Sequence, residues 1–261
     1  MPIFDHPFDP ATDTALVTGA GNGIGRAIAL ALVAEGVRTV FADVNADTVG
    51  SAVAACAKPQ LAHAWTGDLA QRKECDRLLA DARARFGMIT RLVHAASPPR
   101  READNLMAVS DATWEGMRGV NLDAGFHLGR EVARALMAAG TPGSLLYLTS
   151  LHAETPRNLP HYSTSKAALA MLVKEFAKTL GRYGIRVNAL VPGAVAAGGF
   201  VADPALARHI PLGRLGRADD LAPLALAVLS NRISGYVTGA AIVIDGGISL
   251  TNWFEPPALD L

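Results

Sequence analysis

The sequence has few cysteines and no long apolar run. Cys56 and Cys75 are the two cysteines among 261 residues and form no C-x-x-C pair, so we expect buried structural thiols in a reducing compartment. No window holds about eighteen uninterrupted apolar residues, so no membrane span is expected. Residues 1–13 contain three prolines, three aspartates and no lysine or arginine, which is unlike a signal peptide. We therefore expect a cytoplasmic protein.

The chain also lacks a net charge and a metal motif. Its 24 lysines and arginines balance 24 aspartates and glutamates, and no basic run favours nucleic-acid binding. Its seven histidines form neither an H-E-x-x-H pair nor a cluster with cysteine, so no catalytic metal is expected. Half of the residues are hydrophobic and 18% are charged. Such a chain is long enough for one large α/β domain with a substantial core.

Strand-like and helix-like patterns alternate along the chain, which is typical of a parallel sheet covered by helices on both faces. Seven strands are predicted, over 14–18, 39–42, 61–66, 91–96, 144–149, 185–191 and 236–244. Six helices are predicted, over 26–35, 46–57, 71–86, 112–139, 162–183 and 219–231, the fourth with a bend near Gly125 or Gly129. The expectation is one doubly wound α/β domain of the Rossmann type over 1–261. Its core is 13–247, its substrate loop 194–211 and its C-terminal tail 251–261.

A glycine-rich turn follows the first predicted strand. Thr14–Thr18 suits a strand buried on both faces, and glycines follow at positions 19, 21, 23 and 25. Such a turn directs backbone N–H groups and the positive end of a helix dipole at one point, which suits a pyrophosphate. A Cβ there would hold the phosphates away or clash where the helix packs on the strand. The turn therefore predicts dinucleotide binding, against the alternative of a plain surface loop.

Asp43 closes the second predicted strand. A carboxylate at this position can accept hydrogen bonds from both hydroxyls of an adenosine ribose, and its charge would repel the 2′-phosphate of NADP. The alternative is a solvated strand end. The sequence thus favours NAD over NADP.

Tyr162 and Lys166 are four residues apart in a predicted helix and so lie on one face of it. A free tyrosine titrates at about 10, but a nearby ammonium and the positive nicotinamide ring would favour the phenolate. The tyrosine could then exchange a proton with the substrate while a hydride moves to or from the cofactor. The alternative is an ordinary amphipathic pair, and the dinucleotide turn upstream favours catalysis.

Other polar residues are predicted near this pair. Ser150 ends the fifth strand, and its hydroxyl could hold the reacting oxygen beside the phenol; the neighbouring Thr149 is an open alternative. Asn121 lies in an apolar part of a helix, where it suggests a local bend or a bound water. His152 and His161 flank the site as surface loop residues or substrate contacts.

These residues together carry a family pattern. From Thr14 to Gly247 the chain resembles the short-chain dehydrogenase/reductase family. The residues that carry the resemblance are Thr18-Gly19-x-x-x-Gly23-x-Gly25, Asp68, Asn121, Ser150, Tyr162-x-x-x-Lys166, Pro192-Gly193 and Asp245-Gly246-Gly247.

The resemblance implies a role for each matching residue. Tyr162 would be the general acid/base, and Ser150 would orient the carbonyl or carbinol. Lys166 would bind the nicotinamide ribose and tune the tyrosine, while Asn121 would hold a water that links Lys166 to solvent. Asp43 would select NAD. The residues implied around the cofactor are Gly19, Asn22, Gly23, Ile24, Gly25, Asp43, Asp68, Leu69, Ala95, Ala96, Tyr162, Lys166, Pro192, Gly193 and Val195.

The chain departs from the family pattern in places. The usual Asn-Asn-Ala-Gly is His94-Ala-Ala-Ser97, followed by Pro98-Pro99, and Ala197 replaces a threonine that often follows Pro-Gly. The apolar tail around Trp253 extends past the fold, and we expect it to pack on a neighbouring subunit.

The sequence therefore predicts an NAD-dependent oxidoreductase that interconverts a secondary alcohol and a ketone or aldehyde. Ser150, His152 and Tyr162 would contact the substrate, for which a sugar or polyol is favoured. The alternatives are a carbonyl reductase of 3-oxoacyl thioesters and a non-catalytic NAD(H)-binding protein. The resemblance also implies a homo-oligomer, a tetramer or a dimer, assembled through the helices at 112–139 and 162–183.

Overall fold

The computed structural model describes residues 6–197 and 204–250. Part of the predicted substrate loop, 198–203, lies outside the described residues. The C-terminal tail at 251–261, for which contact with a neighbouring subunit was predicted, also lies outside them.

The architecture is a seven-stranded sheet in which every neighbouring pair of strands is parallel. The strand order is β3-β2-β1-β4-β5-β6-β7, which confirms the predicted doubly wound fold. Every residue of β1 and of β5 is buried, as helices on both faces require. The strands are β1 (Thr14–Thr18), β2 (Arg38–Asp43), β3 (Ala62–Thr66), β4 (Arg91–His94), β5 (Gly143–Leu148), β6 (Ile185–Pro192) and β7 (Ala241–Ile244).

Helices connect the strands and cover both faces of the sheet. On one face, Ile28 and Leu221 belong to a core cluster, and on the other Leu78 and Leu128 belong to a second. The helices are α1 (Gly23–Ala34), α2 (Ala46–Ala54), α3 (Arg72–Phe86), α4 (Asp111–Arg118), α5 (Gly125–Ala139), α6 (Pro160–Leu180), α7 (Ala218–Leu229) and α8 (Asn231–Ser234). Short 3₁₀ turns include Leu151–Ala153 after β5, and Val195–Ala196 pairs with Gly216–Arg217 beside the sheet.

The helix predicted over 112–139 changes its winding beside one of the two glycines near which a bend was predicted. Its α-helical parts α4 and α5 are separated by a π-helical segment, Gly119–Ala124, which contains Asn121 and ends directly before Gly125. Gly125 also has a packing role, because a Cβ there would lie 3.0 Å from Cδ2 of His94. The glycine makes room for that imidazole.

The last strand is also shorter than predicted, because β7 begins at Ala241 and not at Tyr236. The carbonyl of Val237 accepts hydrogen bonds from Asn188 Nδ2 at 2.9 Å and Arg186 Nη1 at 3.1 Å. Gly239 has a φ of +74°, which an L side chain rarely adopts. This stretch is therefore held on β6 by side-chain bonds, by the backbone bond from Gly239 N–H to the carbonyl of Val187 and by that from Ala189 N–H to the carbonyl of Ala240, without a regular ladder.

Candidate active site

The glycine turn packs directly on the end of β4. A Cβ on Gly19, whose φ is +66°, would lie 2.8 Å from the backbone N and Cα of Ala96. A Cβ on Gly25 would run into the carbonyl oxygen of Gly19. Both glycines are thus required by close backbone approach, which brings the start of α1 against the sheet.

The first turn of α1 offers free donors beside a cavity. Asn22 is the N-cap of α1, and its side chain makes no capping hydrogen bond, so the first N–H groups of the helix lack that partner. A cavity of about 560 Å³ adjoins this turn and is lined by Asn22, Gly23, Arg26, Thr48 and Arg217 among others. This cradle fits the anionic diphosphate of a dinucleotide.

Asp43 lies at the end of β2 and faces the same turn. Its carboxylate accepts from the backbone N–H of Gly21 at 2.9 Å and from that of Asn45 at 3.1 Å. Each carboxylate oxygen retains a lone pair for a further donor. Asp68 is exposed and accepts from the N–H of Ala70 at 3.0 Å, whereas Leu69 is buried. Asp43 is therefore both a brace of the glycine turn and a candidate acceptor for ribose.

Tyr162 and Lys166 are both buried on the first turns of α6. The Lys166 ammonium lies 5.8 Å from the centre of the Tyr162 ring and donates to the carbonyl of Leu148 at 2.7 Å. Burial, and then the charge of Arg100, lowers the pKa of Lys166 to about 7. The end of β5 thus fixes a cation beside the phenol ring.

Ser150 is buried at the end of β5, where it caps the 3₁₀ turn. Its Oγ accepts from the N–H of His152 at 3.1 Å, and no acceptor for its own proton is found among the described residues. The Thr149 hydroxyl instead donates to the carbonyl of Leu190 at 3.1 Å. Of the two hydroxyls that the sequence left open, the geometry favours Ser150 for substrate contact.

The two flanking histidines differ in exposure. The His152 ring is partly buried and lies 6.4 Å from the Tyr162 ring, and its Nδ1 contacts the carbonyl of Thr155 at 3.0 Å. His161 is only 2% exposed, so its interpretation as a surface residue was wrong. It lies on α6 next to Tyr162, where the helix packs inward.

Asn121 lies in the π-helical segment and is completely buried. Its Nδ2 donates to Ser165 Oγ at 2.9 Å, and that hydroxyl donates to the carbonyl of Tyr162 at 2.8 Å. Its Oδ1 has no hydrogen-bond partner among the described residues. Because an unpaired buried oxygen costs free energy, this atom is suited to accept from a bound water.

His94 takes a bracing position that sequence reasoning missed. Its Nε2 lies 3.1 Å from the carbonyl of Val120 and 3.2 Å from that of Asn121. Since both are acceptors, Nε2 carries the proton and Nδ1 accepts from the Thr18 hydroxyl at 3.0 Å. Burial is the main cause that lowers the pKa of His94, to about 4. The neutral ring therefore joins the glycine turn to the π-helical segment.

The remaining cofactor candidates surround the same edge of the sheet. The N–H groups of Ala95 and Ala96 each donate to Thr18 Oγ1 at 3.2 Å. Pro192 ends β6, and Gly193 donates to the carbonyl of Ile244 at 3.0 Å. Val195 is buried, and Ile24 packs against the core cluster on the α1 side. The structure thus brings the candidates to the carboxyl ends of the strands, where ligands of such sheets bind.

Arg100 is a second residue that the sequence did not single out. Its guanidinium carbon lies 4.5 Å from the centre of the Tyr162 ring. The sequence held one indication of its position, since Arg100 directly follows Pro98-Pro99. These prolines stiffen the segment that leaves β4 at the edge of the sheet where the site lies.

Within residues 6–197 and 204–250, no group of three or more His, Cys, Asp or Glu side chains is placed to hold a metal ion. No helix in that part of the chain has the length and apolar character needed to cross a membrane.

Similarity to known proteins shows that the chain is a dehydrogenase or reductase that acts on CH–OH groups. A family model described as enoyl-(acyl carrier protein) reductase matches residues 19–249. The chain belongs to the short-chain dehydrogenase/reductase family, whose members use NAD(P).

Similar proteins include dehydrogenases of different substrates. A (3R)-3-hydroxyacyl-CoA dehydrogenase from Mus musculus is 34% identical over 254 residues, covering 90% of this chain and 95% of that protein. An L-rhamnose 1-dehydrogenase (NAD(P)(+)) from Azotobacter vinelandii is 30% identical over 248 residues, covering 90% of this chain and 96% of that protein. The structure of a 3-ketoacyl-(acyl-carrier-protein) reductase from Brucella melitensis complexed with NADH matches with a TM-score of 0.85 and 28% identity. The match covers 92% of this chain and 100% of that one.

Proposed function

We propose that this protein is an NAD-dependent dehydrogenase that interconverts a secondary alcohol and the corresponding ketone or aldehyde. The observation that carries the proposal is the burial of Ser150, Tyr162 and Lys166 together at the carboxyl end of β5. The glycine cradle that fits a dinucleotide opens at the same edge of the sheet.

The proposed mechanism assigns one step to each side chain. Bound NAD would supply or accept the hydride. Ser150 holds the substrate oxygen through its hydroxyl, and Tyr162 takes the carbinol proton at its phenol oxygen or returns it in the reverse direction. Lys166, held by the carbonyl of Leu148, would when charged stabilise the negative charge that develops on the phenol oxygen during proton transfer. Asn121 would hold a water at its unpaired Oδ1, through which Lys166 exchanges protons with solvent.

The choice of NAD over NADP rests on Asp43. Its carboxylate lies against the glycine turn, where it accepts from Gly21 N–H. A 2′-phosphate placed at the same ribose would meet this negative charge. The proposal therefore expects tighter binding and faster turnover with NAD than with NADP.

The test is a substrate panel of polyols, sugars and hydroxy acids, run with NAD and NADP in parallel on wild type and Tyr162→Phe. We expect the variant to bind NAD normally but to lose turnover by about 10² to 10⁴-fold, because general acid–base catalysis contributes that much. Full turnover in Tyr162→Phe would contradict the mechanism, and preference for NADP would contradict the role of Asp43.

Two alternatives keep specific support. A carbonyl reductase of 3-oxoacyl thioesters is favoured by the similarity to the (3R)-3-hydroxyacyl-CoA dehydrogenase and to the 3-ketoacyl-(acyl-carrier-protein) reductase. A non-catalytic NAD(H)-binding protein is suggested by the altered segment at 94–97, and measurable NAD binding without turnover on the whole panel would favour it. The sequence favoured a sugar or polyol as substrate, and the panel compares these with hydroxy acids. The cytoplasmic location and the homo-oligomer stay predictions.

A further inference from the structure

Two cations face the reacting tyrosine. The guanidinium carbon of Arg100 lies 4.5 Å from the centre of the Tyr162 ring. The ammonium nitrogen of Lys166 lies 5.8 Å from the same centre. Lys166 is buried, whereas Arg100 is exposed at the mouth of the site. The substrate oxygen, held between Ser150 and the phenol in the proposed mechanism, would therefore lie within the field of both charges.

Among the described residues, Arg100 forms no ion pair with a carboxylate. Glu102 forms an ion pair with Arg157. The charge of Arg100 also contributes to the lowered pKa of Lys166, after the larger effect of burial. Two like charges without an anion between them are an arrangement that a bound anion would stabilise.

His152 adds a directed polar group on the same side. Its Nδ1 contacts the carbonyl of Thr155 at 3.0 Å, so Nδ1 carries the proton and Nε2 is left for another partner. The ring packs edge-on at 6.4 Å from Tyr162. A polar substrate held by Tyr162 would therefore have both Arg100 and His152 within reach.

We propose that the substrate is a small hydroxy acid, with a carboxylate one or two carbons from the carbinol, and that Arg100 binds this carboxylate. The inference rests on the proposed dehydrogenase function. It refines the substrate class, because the guanidinium lies against the reacting tyrosine and not at a distance from it. The phosphates of an acyl-CoA lie a whole pantetheine arm away from the thioester, and a neutral sugar has no anion for this position.

The segment that carries Arg100 supports a fixed position for the guanidinium. Pro98 and Pro99 follow the end of β4 by a few residues, and proline rings lock φ and favour an extended chain. A short, stiff connection of this kind limits the positions that the Arg100 side chain can reach. It thereby reduces the entropy lost when a carboxylate binds.

Steady-state kinetics with matched substrates tests the inference. We would compare 3-hydroxybutanoate, its neutral methyl ester, its CoA thioester and a polyol on wild type, Arg100→Gln, Arg100→Lys and the control Arg101→Gln. We expect Arg100→Gln to raise KM for 3-hydroxybutanoate about tenfold or more, since it removes a charge-assisted hydrogen bond. KM for the ester should stay unchanged, Arg100→Lys should recover part of the loss, and Arg101→Gln should behave as wild type.

Malonate binding separates the two proposals. Calorimetric titration of malonate into the NAD-saturated protein should show binding that Arg100→Gln weakens about tenfold and Arg101→Gln does not. This result would support the anion site even if no alcohol on the panel were oxidised, an outcome that would overturn the dehydrogenase function alone. Equal KM changes for acid and ester, a loss confined to the CoA thioester, or malonate binding unaffected by Arg100→Gln would each overturn the hydroxy-acid inference.

Discussion

The imidazole of His94 lies between two parts of the crevice that the chain brings together from distant positions. On one side it accepts from the Thr18 hydroxyl, and on the other it donates to the carbonyls of Val120 and Asn121. Only the neutral ring, with its proton on Nε2, satisfies all of these partners. A protonated ring would direct a second N–H at Thr18, whose oxygen already accepts from two backbone N–H groups.

We predict that His94 makes the free energy of unfolding depend on pH. Its pKa is about 4 in the folded protein and 6.5 without burial, so the unfolded chain binds more protons between these values. The contribution of the neutral His94 ring to the free energy of unfolding is fully present above pH 6.5. It decreases as the pH falls, and about 3 kcal/mol of it is lost at pH 4 and below. Urea unfolding of wild type and His94→Asn at about pH 7 and about pH 4.5 measures the difference.

The expected result is a smaller loss of stability on acidification in His94→Asn than in wild type. His152 and His161, whose pKa values burial also lowers, titrate in both proteins and cancel in the comparison. Equal acid sensitivity of the two proteins would contradict the bracing role of the neutral ring.

Sequence reasoning at the residue scale works where the chemistry is local. Tyr162 and Lys166 are one helical turn apart and the glycines share one turn, so their spacing alone predicts that each set lies together. His94 and Arg100 act through neighbours that are distant in the chain, and no spacing rule indicates such contacts. His94 was noticed only as a departure from the family pattern.

At the scale of elements, the sequence pattern predicts that a helix forms but not how it is wound, as the run from α4 through the π-helical segment to α5 shows. The apolar pattern predicted a helix over 112–139 correctly, but α and π turns use the same residue types. Here the carbonyls of Val120 and Asn121 accept from His94, so a tertiary contact accompanies the local change in winding. The strands β1 and β5 were predictable because buried parallel strands are continuous apolar runs, whereas β3 and β7 are only partly buried.

We predict that Gly129→Ala destabilises the packing of α5 on β5. A Cβ at Gly129 would run into the Tyr147 hydroxyl and lie 2.8 Å from the Phe176 ring. Tyr147 is completely buried and donates to the carbonyl of Gly125 at 3.1 Å, so it has no room to move. Overpacking of this kind costs about 1–3 kcal/mol of the free energy of unfolding, which thermal unfolding would measure.

Gly116→Ala is the matched control, because it lies within α4 and a Cβ there would meet nothing within 4 Å. This substitution should raise stability by about 0.5–1 kcal/mol through helix propensity. A Gly129→Ala protein as stable as Gly116→Ala would show that the α5–β5 contact adjusts freely.

At the scale of the whole molecule, one surface carries aromatic side chains that the fold leaves exposed. Phe126 on α5 is 40% exposed and stacks on Phe176 of α6 with ring centres 6.0 Å apart, and Met171 of α6 is 55% exposed. We call these three residues the α5–α6 face. Apolar side chains grouped in this way on adjacent helices are typical of an interface.

We predict that a second copy of this chain covers the α5–α6 face. The sequence resemblance implied assembly through these same helices, and a self-complementary contact between two identical faces gives a closed dimer. Phe126→Glu and Met171→Glu would place unpaired charges in that contact, so light scattering after gel filtration should show smaller species than wild type.

Met107→Glu is the control, since Met107 is 90% exposed on the connection between β4 and α4 and should leave the mass unchanged. A monomeric wild type, or an assembly that both glutamates leave intact, would contradict this interface, because an ion buried without a partner destabilises any contact that encloses it.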